Sequence, residues 1–315
     1  MAPPRGPRPR PEPTLAARVR EALGCPWSEA REHIARGRVS VDGEVTTDPA
    51  ARVAPGASVA VGPRVPTAPT GALERWRLAH LDAQVAVVDK APGVNTVPFE
   101  DGERGTLVDL LATQLHRWGL APPRAPLFVV HRLDRETTGL LVFGRTWLAK
   151  RHLSGLFRRH DLEREYLCLV HGRFPAARSV TTRLLDDRGD GLRGSAGPRD
   201  RPTEGRVSTS HFRPLHALQG ATLVGCRLET GRQHQLRIHL SELGHPILGE
   251  RVYIREFRGP ALPAPRVLLH AASLGFQHPT EPRVLRLESA LPEDFLAAAE
   301  ALGGLPEALR SPPRR

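Results

Sequence analysis

Cysteine is scarce in this sequence, and the three cysteines stand far apart. Cys25, Cys168 and Cys226 are odd in number, which argues against a disulfide framework and against a zinc site built on paired cysteines. The chain also lacks any apolar run of about 18 residues and the apolar segment of a signal peptide. We therefore expect a soluble, cytoplasmic protein without a membrane anchor.

Lysine is scarcer still, since Lys90 and Lys150 are the only two and the other 43 of the 45 basic residues are arginine. A GC-rich genome explains that preference without any function. It does not explain why 45 basic residues face 34 acidic ones, a net charge of +11. A basic protein most often binds a polyanion, with nucleic acid first. An acidic protein or a membrane surface is a weaker alternative, because no long basic amphipathic helix is visible.

Length and composition predict two folded parts. The 315 residues, 40% of them hydrophobic, are enough for one large core and a small domain. Stretches rich in proline, glycine and arginine mark tails and a linker. The expected segments are a disordered tail (1–13), a small module (14–62), a linker (63–79), a larger domain (80–303) and a C-terminal tail (304–315).

The small module combines helices with a short sheet. The pattern predicts a helix at 15–23 and a second one between an N-cap at Ser28 and a stop at Gly37. A hairpin at Asp42-Gly43 and a last short strand follow. The arginines of the module are either a solvated face or a platform for RNA phosphates. They are Arg18, Arg20, Arg31, Arg36 and Arg38.

In the larger domain, strands and helices do not alternate regularly. That order disfavours a Rossmann fold or a barrel and favours an α+β fold, a mixed sheet with helices packed against it. Residues 175–205, full of arginine, glycine and aspartate, predict a strand with a long mobile loop. The other strands are expected at 83–90, 127–130, 140–144, 164–172, 220–230 and 266–276, and the helices at 106–118, 147–159, 234–243 and 291–302.

Two motifs resemble functional signatures but lack the necessary context. The stretch "GDGLRG" (189–194) matches GxGxxG, but it precedes no convincing helix, which disfavours a dinucleotide site. His234, His239 and His245 suggest a metal site, but "HQLRIH" spaces the first two by five residues and no acidic ligand lies in register. Structural or RNA-contacting histidines are favoured, and no metal is expected.

The stretch "HRLDRETTGLL" (131–141) places a charged cluster between two apolar segments, which predict two buried strands. Asp134 is therefore expected at a strand end, at the wall of a cleft. Spacing alone favours a turn aspartate that bonds its own backbone between solvated arginines. A second stretch shifts that balance. Arg237 lies among apolar neighbours in a predicted helix and needs a carboxylate partner. Asp134 is a candidate for that partner.

The stretch "HRLDRETTGLLVFGRT" resembles the catalytic motif of the RluA-type pseudouridine synthases. "VVDKAPGVNTVP", "REYLCLVHG", "TGRQHQLRIHLSELGHPILGE" and "LLHAASLGFQHP" resemble further motifs of that family, in the family's order, over residues 80–296. The module at 14–62 resembles the alpha-L RNA-binding domain that often precedes this catalytic domain. The resemblance implies a mixed, mainly antiparallel sheet flanked by helices, and a cofactor-free isomerisation of uridine in RNA.

The resemblance also implies roles for five residues. Asp134 matches the catalytic aspartate, and Arg237 matches the basic residue paired with it. Tyr166 matches the tyrosine that stacks on the base, and Leu236 an apolar neighbour that shapes the pocket. Arg132 matches the arginine that fills the gap left by the flipped uridine. Because a guanidinium is a planar fork, we expect Arg237 to grip Asp134 with two hydrogen bonds.

The RNA target is less specified than the reaction. Ribosomal RNA, and first that of the large subunit, is the expected substrate, and transfer RNA is the alternative. The enzyme is expected to be a monomer. A non-catalytic RNA-binding or ribosome-assembly factor on the same fold is a rival, and a metal-dependent hydrolase built on the histidines is another. Two departures from the family pattern are notable. Glu250 stands where an aspartate is usual, and the N-terminal module lacks the usual Arg-Leu-Asp opening.

Overall fold

The computed structural model of the chain describes residues 13–35, 38–46, 48–61, 77–98, 103–122, 125–198, 200–201 and 203–310. These residues form two compact units. The N-terminal unit comprises the described residues up to 61 together with 186–192, and the sheet unit comprises the others. Most of the expected tails and linker lie outside the described residues. None of the described helices has the length and hydrophobicity that a membrane crossing requires.

The N-terminal unit contains the predicted pair of helices and the predicted small sheet. Thr14 caps the first helix, since its Oγ1 accepts a hydrogen bond from the Ala17 N–H at 3.1 Å. The hairpin turns at Asp42 (φ 51°) and Gly43 (φ 87°), as expected for this dipeptide. Leu15, Val19, Ile34, Val39 and Val53 form its core. The elements are α1 (Leu15–Leu23), α2 (Trp27–Ala35), β1 (Val39–Val41), β2 (Glu44–Val45) and β3 (Val59–Val61), with the strand order β2-β1-β3.

The predicted start of α2 was wrong by at least one residue. The helix begins at Trp27, so Ser28 lies inside it and is not the N-cap. The reason is the carbonyl of Pro26, which accepts the first helical hydrogen bond from the Ala30 N–H at 3.0 Å. The predicted stop at Gly37 lies outside the described residues.

The sheet unit is built on one large sheet with helices packed against it. Its strand order is β10-β9-β11-β12-β8-β13-β7-β5-β4, with β14 beside β13 and β6 beside β7. The β13–β7 pair is parallel and the other pairs are antiparallel, which confirms the expected mixed, mainly antiparallel α+β fold. The strands are β4 (Leu78–Leu81), β5 (Val85–Lys90), β6 (Phe128–Val129), β7 (Thr138–Gly144), β8 (Glu163–His171), β9 (Arg178–Leu185), β10 (Gly194–Ser195), β11 (Arg206–Leu218), β12 (Ala221–Leu228), β13 (Leu269–Gln277) and β14 (Val284–Glu288). The helices are α3 (Leu107–Arg117), α4 (Trp147–Arg159), α5 (Gln235–Glu242), α6 (Glu293–Glu300) and α7 (Glu307–Arg310).

Five elements of the sheet unit escaped the sequence analysis: β4, β10, β11, β14 and α7. The 13-residue strand β11 is the largest omission. Its polar residues and Pro214 hide the strand pattern, and the pairing is irregular between Pro214 and His216. Strand β4 begins inside the expected linker, and α7 lies in the expected C-terminal tail. Strand β6 is only two residues long and half-buried, so the chain leaves the sheet earlier than the apolar stretch predicts.

Strand β7 is buried on both faces and joins two apolar clusters. Leu140 and Val142 point to one face, where they pack against helix α4. Leu141 and Phe143 point to the other face, where they join the main core with α3. This alternation is the period of a strand. Burial on both faces fixes the position of β7. It therefore also fixes the point at which the preceding loop joins this strand.

Two cysteines that are distant in sequence are neighbours in the sheet. Cys168 on β8 and Cys226 on β12 have their sulfur atoms 3.6 Å apart, and both are free and buried. Their wide sequence spacing therefore hid a contact, although no disulfide joins them. Burial raises the pKa of the Cys226 thiol well above its usual range, which keeps it protonated and unreactive near neutral pH.

Gly139 provides a test of how tightly β7 packs. It has φ 103° and lies beside Ala271 of β13, so a Cβ at this position would come closer than 3.0 Å to backbone atoms of Ala271. Gly119 has φ 68°, and no atom lies within 4 Å of the place that a Cβ would take there. Both Gly→Ala changes carry a strain of ~1–2 kcal/mol, but only the first adds an overlap of ~1–3 kcal/mol. In urea titrations, Gly139→Ala should lower the free energy of unfolding by about twice as much as Gly119→Ala. Equal losses would contradict the close β7–β13 approach.

Candidate active site

The loop between β6 and β7 carries Asp134, and its backbone is held from several directions. The Thr96 hydroxyl donates to the Leu133 carbonyl at 2.9 Å and accepts from the Leu133 N–H at 3.2 Å. The Asp134 carbonyl accepts from the Thr137 N–H at 3.1 Å. Arg266 donates from Nη1 to the Glu136 carbonyl at 3.0 Å. Asp134 thus sits in a loop whose polar backbone is satisfied without a strand partner.

Lys90 is the central clamp of this loop. It is fully buried, and its Nζ donates to the carbonyls of Ala91, Val94 and Arg135 at 2.8, 2.9 and 2.9 Å. Burial lowers the pKa of Lys90 to about 7, and the negative charges of Glu136 and Asp134 oppose this shift. Three carbonyls match the three donors of an ammonium group. Lys90 therefore ties the turn after β5 to the loop that carries Asp134.

His131 fixes the start of the same loop. Its Nε2 accepts a hydrogen bond from the Val142 N–H on β7 at 3.1 Å, and its ring stacks on Phe157 of α4 with centroids 4.4 Å apart. Burial lowers the pKa of His131 to about 3, so the ring is neutral near pH 7. A neutral ring is required here, because Nε2 can accept a hydrogen bond only when it carries no proton.

A cavity of about 600 Å³ opens beside Asp134 and brings five sequence-predicted residues together. Arg132 and Asp134 come from the loop, Tyr166 from β8, and Leu236 and Arg237 from α5. Asp134 is the only acidic residue among the described residues that line the cavity. The cationic lining residues are Arg132, Arg158, Arg164, Arg232 and Arg237. The cavity therefore suits an anionic ligand that must be brought to a single carboxylate.

Arg237 pairs with Asp134, but not through the expected fork. Its Nη1 lies 3.7 Å from Asp134 Oδ2, which is an ion pair and too long for a hydrogen bond. The fork grips Glu250 instead, with Nε–Oε2 at 2.7 Å and Nη2–Oε1 at 2.8 Å. The expected two-bond grip on Asp134 was therefore wrong. A guanidinium has five donors, so one nitrogen remains directed at Asp134 after Glu250 takes two.

Glu250 is the residue that sequence reasoning missed. Its side chain is fully buried, and Oε1 also accepts from the N–H groups of Arg251 and Val252 at 3.1 and 2.9 Å. Although burial opposes ionisation, the charge and hydrogen bonds of Arg237 lower the pKa of Glu250 to about 2. Because its pKa is lower in the folded protein than in the unfolded chain, the ionised Glu250 carboxylate stabilises the fold at pH values above the ordinary carboxyl pKa. This contribution is lost as the pH falls toward 2. The sequence signals were a carboxylate 13 residues after Arg237 and its place where the family usually has an aspartate, and neither identified Arg237 as its partner.

His234 adds a polar ring to the lining of the cavity, and Tyr253 contacts that ring. The His234 Nδ1 lies 2.8 Å from the Tyr253 hydroxyl, and its Nε2 lies 3.8 Å from Asp134 Oδ2. Burial, reinforced by the charge of Arg237, lowers the pKa of His234 to about 4, so the ring is neutral at pH 7. His234 has φ 59° and immediately precedes α5. It thus places a neutral polar ring next to the Asp134 carboxylate.

Tyr166 and Leu236 form the buried wall of the cavity. They are 7% and 4% exposed, so both present an apolar surface to the space in front of Asp134. Burial raises the pKa of the Tyr166 phenol, and the positive charge of Arg164 opposes that shift. Arg164, which also lies 5.2 Å from the Phe157 ring, was not singled out in the sequence. Arg132, by contrast, is exposed on the lining of the cavity.

The other two histidines of the suggested metal site have protein partners elsewhere. His239 bonds to Ser210 Oγ at 2.9 Å and to Thr182 Oγ1 at 3.0 Å, and burial lowers its pKa to about 4. His245 bonds to the His171 carbonyl at 2.9 Å. Neither lines the cavity. Their described contacts are hydrogen bonds to other protein groups. The "GDGLRG" segment is a loop with no helix following it.

The predicted RNA platform lies in the N-terminal unit, and none of its described arginines is among the residues that line the cavity beside Asp134. Arg20 covers the Trp27 ring at 4.9 Å, and Arg31 pairs with Asp187 at 2.9 Å. Arg31 is therefore partly neutralised by a carboxylate. Arg18 and Arg38 are half-buried, and Arg36 lies outside the described residues.

The buried Arg237–Glu250 pair predicts a specific stability pattern. Arg237→Met leaves the Glu250 carboxylate buried without a cation, which should destabilise the protein by ~3–5 kcal/mol. Adding Glu250→Gln removes that charge and keeps an acceptor for the backbone N–H groups, so the double variant should recover most of the loss. Thermal or urea unfolding of the two variants measures this. If the double variant were as unstable as Arg237→Met, the cost would come from packing rather than from an unpaired charge.

Comparison with known proteins agrees with both units. Residues 84–242 match the family described as RNA pseudouridylate synthase, and residues 15–59 match the S4 domain. The chain is 32% identical over 237 residues to the ribosomal large subunit pseudouridine synthase D of Nitrosomonas europaea, covering 74% of this chain and 67% of that protein. It is 34% identical over 233 residues to the protein of the same name from Zymomonas mobilis, covering 68% of each.

Solved structures support the fold. Human RNA Pseudouridylate Synthase Domain Containing 4 superimposes with a TM-score of 0.59 at 24% sequence identity, covering 73% of this chain and 94% of that one. The S4 match confirms the expected N-terminal RNA-binding module. The chain therefore belongs to the RNA pseudouridylate synthase family, whose members isomerise uridine to pseudouridine, and it carries an S4 domain at its N-terminal end.

Proposed function

We propose that this enzyme modifies uridine in large-subunit ribosomal RNA and that Asp134 is its catalytic carboxylate. The observation that carries the proposal is a single acidic side chain, held in a clamped loop and facing a cationic cavity. Relatives named for the large ribosomal subunit support the choice of RNA. Transfer RNA is the alternative that the experiment below tests.

One carboxylate suits an isomerisation better than a hydrolysis. Glycosidases place two carboxylates around the scissile bond, one to protonate the leaving group and one to act on water or the sugar. In this chain the second nearby carboxylate, Glu250, is fully buried and held by Arg237. It has no access to a sugar in the cavity. The detached uracil must be kept and rejoined, so a site that activates water would work against the reaction.

The proposed chemistry uses Asp134 at the ribose. Its carboxylate either attacks C1′ or removes a ribose proton, and the C1′–N1 bond breaks. The electrons of the broken bond stay with the uracil, which turns within the cavity. C5 then bonds to C1′, and in this step Asp134 either leaves C1′ as a free carboxylate or returns the proton to the ribose. The C5 proton then leaves and N1 gains one, so the product is an isomer of the substrate. Arg237 Nη1 lies 3.7 Å from Asp134 Oδ2 and supplies a positive charge opposite the carboxylate.

Uridine can reach Asp134 only after leaving the RNA stack, at a cost of a few kcal/mol. We assign Tyr166 to stacking on the flipped base and Leu236 to the apolar wall that orients it. Stacking returns ~1–3 kcal/mol per base. We assign Arg132, which is exposed on the cavity lining, to filling the gap left in the RNA. A volume of about 600 Å³ is within the range of small-molecule sites and suffices for a nucleotide.

We further propose that the enzyme is a cytoplasmic monomer without metal or cofactor. The isomerisation neither oxidises the substrate nor consumes a second reactant, so its own side chains suffice. The S4 domain would contribute RNA affinity through Arg18, Arg20 and Arg38 rather than through catalysis.

Replacing Asp134 tests the enzyme and its target together. A strain without this gene should lack one or more pseudouridines in large-subunit ribosomal RNA, mapped across total RNA. The native gene and Glu307→Gln, a change at a 93% exposed carboxylate, should restore them. Asp134→Asn should restore none, because the amide cannot serve as nucleophile or base. Restoration by Asp134→Asn would refute the catalytic assignment, whereas pseudouridines lost only from transfer RNA would refute the ribosomal one.

The S4 arginines should contribute a salt-dependent part of RNA binding. Changing Arg18, Arg20 and Arg38 together to glutamine should weaken binding to large-subunit RNA transcripts. The slope of log affinity against log salt should fall by up to ~0.9 for each lost phosphate contact on a duplex. Fluorescence anisotropy between 50 and 300 mM salt would measure it. An unchanged slope would show that these arginines are a solvated face.

A further inference from the structure

Helix α4 has one buried face and one exposed cationic face. Ala149, Leu153 and Leu156 pack into the cluster under β7. The 13 residues "WLAKRHLSGLFRR" include no acidic side chain. The exposed face lines a groove of about 570 Å³, formed by Trp147, Leu148, Lys150, Arg151, Ser154 and Arg158. We call these six residues the α4 groove.

Trp147 at one end of the α4 groove is 69% exposed, the most exposed of the large apolar side chains described. It is nevertheless held in position. Its ring centroid lies 5.1 Å from that of Phe128, and Lys150 Nζ lies 4.2 Å from its centroid. A fixed aromatic ring that remains in water beside cations is a platform for a flat, electron-rich ligand next to negative charge. A nucleobase with its phosphate has that combination.

The α4 groove is continuous with the active-site cavity. Ser154 and Arg158 line both. From Trp147, residues 151, 154 and 158 follow at i+4, i+7 and i+11, which is a single stripe along a helix. The stripe extends for ~16 Å at 1.5 Å per residue. At a stacked spacing of ~3.4 Å, this corresponds to about five nucleotides.

We propose that the α4 groove binds the single-stranded RNA that flanks the flipped uridine. One base stacks on Trp147, and Lys150, Arg151 and Arg158 face the phosphates between it and the cavity. The proposal rests on the proposed function, because it needs RNA in the cavity. Charge complementarity and continuity with the cavity favour RNA over an acidic protein or an anionic membrane.

The stacking role can be tested with a defined probe, a fluorescein-labelled 12-nucleotide oligouridylate, bound to the full chain carrying Asp134→Asn. Trp147→Ala should raise the dissociation constant roughly tenfold, in line with the loss of one stacked base. Trp147→Phe should retain most of the affinity, because phenylalanine still offers a ring. Val284→Ala, a control at an exposed apolar residue outside both cavities, should have no effect. Equal affinity of Trp147→Ala and its parent would overturn the proposal.

The phosphate contacts and the location have separate readouts. Arg151→Gln should reduce the salt slope by ~0.7, the value for one contact on a single strand, whereas the exposed control Arg283→Gln should leave it unchanged. An oligomer carrying 4-thiouridine should crosslink to tryptic peptide 146–150, which contains Trp147. Crosslinks confined to other peptides would overturn the proposal.

Two further outcomes separate this inference from its alternatives. If Trp147→Ala weakened binding to phosphatidylglycerol vesicles and left RNA binding intact, the groove would be a membrane surface and the proposal would be overturned. Absence of RNA binding by the Asp134→Asn parent would overturn the proposed function itself, and this inference with it.

Discussion

The structure around Asp134 depends on one constraint: the loop that carries it has left the sheet, so its backbone must find other hydrogen-bond partners. Those partners come from distant parts of the chain. Thr96, Lys90 and Arg266 satisfy the carbonyls of Leu133, Arg135 and Glu136. A loop held at successive peptide units cannot drift, and a carboxylate on such a loop has a defined direction. Precision of that kind is what a site needs when it must break and remake one bond on a retained base.

Two arginines make the same pair of contacts, each with one carboxylate and with the loop that carries Asp134. Asp294 grips Arg266 with a fork at 2.6 and 2.9 Å, and Glu250 grips Arg237 at 2.7 and 2.8 Å. In each case the remaining nitrogen, Nη1, faces the Asp134 loop. The carboxylates fix the arginines, and the arginines fix the loop and its charge. Buried charges that contact one another are energetically coupled. The effects of substitutions at these residues on the free energy of unfolding should therefore not be additive.

The arginine excess is concentrated where the proposed function needs it. Five arginines and one acidic residue line the cavity. Helix α4 extends this positive surface beyond the cavity, because it has basic residues and no acidic one. A surface of this kind attracts RNA at long range without reading its sequence. Choice of a particular uridine must then come from the shape of the RNA and from the cost of flipping it. In the proposed function the same logic separates the S4 domain, which would add affinity, from the cavity, which would carry the chemistry.

Local sequence patterns determined most of the elements of this protein. The helical period at 147–159 and the apolar run that forms β7 depend on neighbours a few residues away, so they are legible along the chain. Family resemblance led to Asp134, Arg237, Tyr166 and Leu236, and these meet in one cavity. Only the tertiary structure decided the partner of the Arg237 fork, the clamp at Lys90 and the contact between Cys168 and Cys226. Those interactions join residues 13 to 58 positions apart. Long-range pairing depends on how strands and loops are placed in space, and no local periodicity records that placement.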